Sequence, residues 1–79
     1  MIKEINNKMD YDHLLTESDP NINLVRDYLE NGALYGFYLK DESVSFIAVE
    51  IIDGEVEIKN LLTLSAHRGH GYAKELIKF

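Results

Sequence analysis

The stretch Arg68-Gly69-His70-Gly71-Tyr72-Ala73 has the residue types and spacing that point most directly to chemistry. Two glycines alternate with larger residues, behind the run Leu61-Leu62-Thr63-Leu64 and ahead of residues at helical spacing. Glycine lets a backbone approach a ligand closely and turn its N–H groups inward. The first turn of a helix adds unpaired N–H donors and a positive partial charge. A strand, a glycine turn and a helix start in that order suit an anion, phosphate above all. Arg68 adds a fixed charge whose planar fork matches phosphate oxygens. No Gly-Lys-Ser/Thr ending follows, so this is not a Walker loop. The glycine spacing also differs from the dinucleotide fingerprint, and the strands ahead of it read as antiparallel. Two readings stand: a pyrophosphate-holding turn from Leu61 to Ala73, and a plain helix-start turn with no ligand.

The elements that must position this turn can be traced along the chain. Ile2 to Ile5 reads as a short strand, and Asn6 to Ser18 is ambiguous, with Leu14 and Leu15 suited to a short helix. Asp19 as N-cap and Pro20 at the first helical position predict the start of the next helix. Ile22, Val25 and Leu29 fall on its one face, and Asn31-Gly32 suggests a left-handed stop. Ala33 to Lys40 is an aromatic-rich strand, and Asp41-Glu42-Ser43 a turn. Val44 to Ile52 is apolar on both faces, as in a central strand. Asp53-Gly54 signals a hairpin, and Val56 to Leu64 completes an antiparallel meander. The last helix begins near Gly71, with Tyr72, Ala73, Leu76 and Ile77 as its buried stripe. The fold class is therefore α+β, a mostly antiparallel sheet with flanking helices.

Composition narrows the function classes. With 79 residues the chain is a single domain at most, and such a chain buries only about 60% of its unfolded surface. It has 46% hydrophobic and 28% charged residues, an ordinary globular balance. A net charge of −6 argues against a nucleic-acid partner, which needs clustered cations. No apolar run reaches membrane-spanning length. The absence of cysteine excludes disulfides and thiolate metal sites and is compatible with a cytoplasmic location.

The sequence resembles the GNAT superfamily of N-acetyltransferases, whose signature is Arg or Gln, two residues, Gly, one residue, then Gly or Ala. Arg68, Gly71 and Ala73 match it, and Glu57-Ile58-Lys59-Asn60-Leu61-Leu62-Thr63 stands where the family runs its strand into that signature. The order strand, helices, three antiparallel strands, glycine turn and helix also fits the N-terminal portion of that fold. The resemblance implies acetyl-coenzyme A as co-substrate, with no metal, and a primary amine, small molecule or peptide, as acceptor. Gly69, His70, Gly71, Tyr72 and Ala73 would take the pyrophosphate through their backbone N–H groups, beside Arg68. The backbone of Leu61, Leu62 and Thr63 would pair with the pantetheine arm like an added strand. Where the family often has proline in the turn, this chain has Ser65. A strand carboxylate that serves some members aligns with Glu57, whose other reading is a solvent-facing strand residue. Glu50 stands on similar terms. His67 and His70 suit polar contacts with the coenzyme better than base chemistry. Tyr35, Phe37 and Tyr38 could line an acceptor pocket, though an aromatic strand is more often core.

The last helix carries no stop signal and reaches the apolar Phe79. Residues 1–79 accordingly read as a truncated domain, lacking the family's further strand and helix. The strand ending at Leu64 would then have an open edge, which a homodimer could cover. Three classes follow: an N-acetyltransferase domain, a non-catalytic module that keeps the coenzyme or phosphate turn, and a small structural protein.

Overall fold

Three hairpin-connected strands and a short N-terminal one form the frame in the computed structural model, which describes residues 1–79. The strands are β1 (Ile2–Glu4), β2 (Ala33–Leu39), β3 (Glu42–Ile52) and β4 (Glu55–Thr63), antiparallel in the order β1-β2-β3-β4. A 3-10 turn (Lys8–Tyr11), α1 (Asp12–Leu15) and α2 (Ile22–Asn31) lie between β1 and β2. A 3-10 turn (Ser65–His67) and α3 (Tyr72–Lys78) follow β4. The α+β expectation and the order of elements both hold.

Turn chemistry explains the meander. Asp53 and Gly54 take φ values of 52° and 81°, the pair of positive angles that a two-residue hairpin with matching twist requires. The β2–β3 turn is shorter than the sequence suggests. Leu39 pairs with Glu42, so Lys40 and Asp41 alone make the loop, and Lys40 supplies the positive φ of 57°. Strand β3 therefore starts at Glu42 rather than after Ser43.

The core lies between α1–α2 and one face of the sheet. Ile5, Leu15, Val25, Tyr28, Leu29, Leu34, Phe46, Ala48 and Leu62 form one buried cluster. Helix α3 packs on the opposite face, against β2, β3 and β4. Strand β3 is covered on both sides only from Val44 to Ala48; Ile51 and Ile52 are exposed. The central-strand pattern thus overstates its coverage, because α3 is too short to reach the hairpin end. The helix stripe is likewise narrower than its spacing suggests. Leu76 is buried, Tyr72 and Ala73 are half-buried, and Ile77 is exposed.

Two predicted helix ends differ. Helix α2 starts after Asn21, whose side chain accepts from the Leu24 N–H, so Asn21 and not Asp19 is the N-cap. Asp19 caps one step earlier, accepting from the Asn21 N–H. Gly32 is not left-handed; its φ is −123° and its ψ −151°. Its lack of a side chain serves close packing instead. A Cβ there would lie 2.1 Å from the Val49 carbonyl oxygen and 2.8 Å from that of Tyr28.

Candidate functional site

Strand alternation decides which backbone groups of β4 are free. The Leu64 N–H donates to the Val44 carbonyl, so position 64 faces β3, and position 62 does as well. Leu61 and Thr63 therefore turn their N–H and C=O groups away from the sheet, along its open edge. Both carbonyls are met from outside the sheet. Ser18 Oγ donates to the Leu61 oxygen at 3.2 Å, and Arg68 Nε donates to the Thr63 oxygen at 3.1 Å. Leu62 lies between them with its side chain in the core.

A register shift aims this edge. Ala48 pairs with Asn60 but Val49 pairs with Ile58, which leaves Lys59 as an extra residue on β4. Such a bulge bends the strand and raises its twist, so β4 beyond Asn60 diverges from the line of its first half. Ser45 supports the bent half from beneath: its hydroxyl donates to the Leu62 carbonyl and lies 2.8 Å from Thr63 Oγ1.

The glycine turn then leads from the edge into α3. Arg68 is extended, Gly69 and Gly71 take φ values of 84° and 80°, and Gly71 is the N-cap of α3 with no side-chain cap. No atom would lie within 4 Å of a Cβ at either glycine. Both are required by conformation, and the space in front of them is open. The first-turn N–H groups of α3 have no intrahelical partner, so they point into that space. Ser65 serves the turn without a proline: the Ser65–His67 segment forms a 3-10 turn, closed by the His67 N–H on the Leu64 carbonyl.

Tyr72 ties the turn to the sheet. Its ring stacks on Phe37 of β2 at 4.6 Å between centroids, and His70 stacks on its side at 5.6 Å. His70 is exposed and His67 half-buried. Arg68 commits only Nε, which leaves the four N–H donors of its Nη atoms for an anion.

The carboxylates stand elsewhere. Glu57 lies directly opposite Glu50 and accepts from Lys59 Nζ at 2.7 Å. That hydrogen bond holds the Lys59 ammonium above its ordinary pKa. Glu57 is separated from Leu61 by about 10–14 Å of strand, at about 3.4 Å per residue, the shorter figure allowing for the bulge at Lys59. The aromatic trio of β2 is divided between the faces of the sheet. Tyr35 and Phe37 meet Phe79 and Tyr72 on the α3 side. Tyr38 packs on the core cluster on the other side, where Lys3 sits over its ring.

An apolar groove of about 540 Å³ opens between α3 and the β3–β4 hairpin, lined by Ile51, Val56, Ile58, Ile77 and Phe79 among others. Its lining has no carboxylate, histidine or lysine side chain, and Tyr35 is its one titratable side chain. No group of carboxylates and histidines in the chain could hold a metal. No helix is long and apolar enough to cross a membrane.

Two polar residues in or near this edge were not singled out from the sequence. Ser18 lies 43 residues from Leu61, so only the fold brings them together. Asn60 is buried in β4 and donates through Nδ2 to the Leu15 carbonyl (3.0 Å) and to the Tyr28 hydroxyl (2.7 Å). Burial raises the Tyr28 pKa, so its phenol stays protonated. The one available sign was a strand-averse asparagine beside Leu61 and Leu62.

Comparison with known proteins adds to this geometry. No curated protein matches the chain. Among solved structures, a GNAT family acetyltransferase from Elizabethkingia anophelis with acetyl-CoA bound has a TM-score of 0.85 at 28% identity. It is covered over 52% of its length by 99% of this chain. A Bacillus subtilis acetyltransferase in complex with CoA has a TM-score of 0.84 at 26% identity, with 96% of this chain covering 51% of it. The IAA acetyltransferase from Bacillus cereus shares the fold, with a TM-score of 0.86 at 20% identity, 99% of this chain covering 53% of it. The chain thus spans about half the length of these solved relatives. The sequence model of the Acetyltransferase (GNAT) family matches residues 2–79, and this chain belongs to that family.

Proposed function

We propose that this chain carries the acetyl-coenzyme A-binding half of an N-acetyltransferase that acts on a primary amine. The observation that carries this reading is the continuous line of backbone groups turned outward from the sheet. The outward N–H and C=O groups of Leu61 and Thr63 run into the open turn at Gly69 and Gly71. Pantetheine amides can extend a strand edge of that kind, with the side chain of Leu62 anchoring it. The pyrophosphate then falls on the backbone from Gly69 to Ala73 and on the Arg68 Nη groups. Relatives of the same fold hold acetyl-CoA or CoA, which supports the choice of ligand.

In this proposal the amine nitrogen attacks the thioester carbonyl carbon, the coenzyme thiol leaves, and a base removes the amine proton. An edge N–H polarises the thioester carbonyl as charge develops on its oxygen. Glu57 is the candidate base. Its exposed carboxylate would take the proton through solvent, given its distance along β4. A cytoplasmic location is part of the same proposal, supported by the cysteine-free composition.

The second reading is a module that binds the coenzyme or its phosphates without turnover. The carboxylate's distance from the edge favours it. Thermal shift with acetyl-coenzyme A, coenzyme A and ADP tests the shared binding site. Stabilisation that grows with ligand concentration supports it. No shift at millimolar ligand overturns both readings. Consumption of the thioester only when an amine is added separates them. A second copy of the chain is proposed to cover the β4 edge in the ligand-free state. It would use the same backbone groups as pantetheine, so coenzyme A should shift light scattering toward the monomer. Scattering at monomer mass with and without ligand overturns the dimer.

A further inference from the structure

We infer that Asn60 is a positioning residue, which pins the loop between α1 and α2 onto the open edge of β4. The inference rests on the acetyl-coenzyme A reading for the meaning of that edge. It rests on contacts alone for the pinning.

Asn60 is the residue just before Leu61, and only 5% of its surface is exposed. Its two amide protons are spent on two different elements, the end of α1 at the Leu15 carbonyl and α2 at Tyr28. The Leu15 carbonyl also receives the N–H groups of Ser18 and Asp19, at 3.1 and 3.2 Å. One carbonyl thus gathers the loop's backbone and the β4 side chain. Ser18 completes the ring from outside, donating its hydroxyl to the Leu61 oxygen. The loop is held to β4 from beneath through Asn60 and from the edge through Ser18.

Asn60 makes these bonds at a penalty. Its Oδ1 is buried and accepts from no protein group. A buried unpaired acceptor destabilises a fold, and an apolar residue would avoid it. The two donor bonds, which join α1 and α2 to β4, offset that penalty. The bulge at Lys59 interrupts the ladder immediately before Asn60, and regular pairing resumes from Asn60 through Thr63. Asn60, where that pairing resumes, ties it to α1 and α2 and so braces the residue that lies next to it. The Leu61 N–H and C=O are then presented at one fixed angle, and Ser18 occupies the carbonyl. Pantetheine amides reading this edge would meet Leu61 beside Ser18, at the end of the site remote from the glycine turn.

The test separates the two ends of the ligand and adds a measurement that needs no ligand. Amide exchange is followed at Ser18 and Asp19 in the wild type, Asn60→Ala and Tyr28→Phe. Isothermal titration is run on the same proteins and on Ser18→Ala and Ser18→Thr, with ADP for the phosphate end and acetyl-coenzyme A for the whole. In Asn60→Ala the Ser18 and Asp19 amides should exchange about tenfold faster relative to the β3 core amides, with Tyr28→Phe changing them in the same direction by less. Acetyl-coenzyme A affinity should fall about five- to tenfold in Asn60→Ala and Ser18→Ala while ADP affinity stays constant, and Ser18→Thr should restore it. Equal losses for both ligands, or faster exchange spread over the whole sheet, would overturn the inference and leave Asn60 as packing. Should Asn60→Ala fail to fold, Tyr28→Phe decides, and unchanged loop exchange there overturns the pinning. If the wild type binds neither ligand, the acetyl-coenzyme A reading falls, and the exchange data alone decide whether Asn60 holds the loop.

Discussion

Replacing Gly71 with alanine should damage ligand binding far more than it damages the fold, and Gly54→Ala provides its control. Gly71 has a φ of 80° and Gly54 one of 81°, and at neither would a Cβ come within 4 Å of another atom. The two substitutions therefore impose the same backbone strain with no steric clash. A left-handed non-glycine residue costs about 1–2 kcal/mol. Alanine returns part of that by restricting the unfolded chain, by about 0.4–1 kcal/mol. A net loss of about 1 kcal/mol in each variant corresponds to about 4–8 °C in Tm for a domain of this size. Binding should then separate them. At Gly71 the new methyl enters the open space in front of the α3 N-terminus, where the pyrophosphate is proposed to lie. Loss of one N–H contact to a charged group is worth about 1.5–3 kcal/mol. At 1.4 kcal/mol per decade, that raises the Kd for coenzyme A roughly 10- to 150-fold. Gly54 lies at the β3–β4 hairpin, away from the turn, and Gly54→Ala should leave Kd unchanged. Isothermal titration at constant ionic strength, with melting curves of both variants, measures all four quantities. Equal coenzyme A affinity in the two variants would refute the assignment of the phosphate site to this turn.

Gly32→Ala should lower stability by about 1–3 kcal/mol, as overpacking does, because its Cβ meets backbone atoms that cannot rotate away. Urea denaturation measures this, and a change below about 0.5 kcal/mol would show that α2 and β3 separate more easily than their packing implies. The Arg26 guanidinium, which donates to Asp12 at 2.9 Å, holds that carboxyl below its ordinary pKa of 3.8. A lowered carboxyl pKa adds stability above 3.8, and that addition is lost as pH falls through the folded value. Wild type and Arg26→Gln should therefore differ in Tm at neutral pH and converge in acid; a constant gap down to pH about 2 would remove Asp12 from the account. Glu57→Gln should slow thioester consumption in the presence of an amine while leaving coenzyme A affinity unchanged. Equal turnover in wild type and variant would take Glu57 out of the proposed chemistry.

Local rules carried the sequence a long way where each element depends on its own residues. The Asp53-Gly54 hairpin, the apolar faces of α2 and β3 and the glycine turn before α3 all follow from spacing and backbone preference. The helix boundaries were less legible. Asn21, two positions past Asp19, can cap equally well, and its side chain is the one that accepts from the first turn of α2. Gly32 shows the same limit from the other side. A glycine after a helix suggests a left-handed stop, yet this one is demanded by the Val49 carbonyl, 17 residues away. Ile77 has the spacing of a core residue and lies exposed, since helical period assigns a face and not what covers it.

The amino-acid sequence by itself determined the local form of the proposed site, because a strand, a glycine turn and a helix start are contiguous in the chain. Their residues need no distant partner to form a glycine turn that opens a helix. The tertiary structure alone decided how that site is presented. The bulge at Lys59, the alternation that turns Leu61 and Thr63 outward, the stacking of Phe37 on Tyr72, the hold of Asn60 on α1 and α2 and the reach of Ser18 to β4 all join residues far apart in sequence. Those contacts depend on register and packing, and no local pattern encodes which long-range pairs will meet.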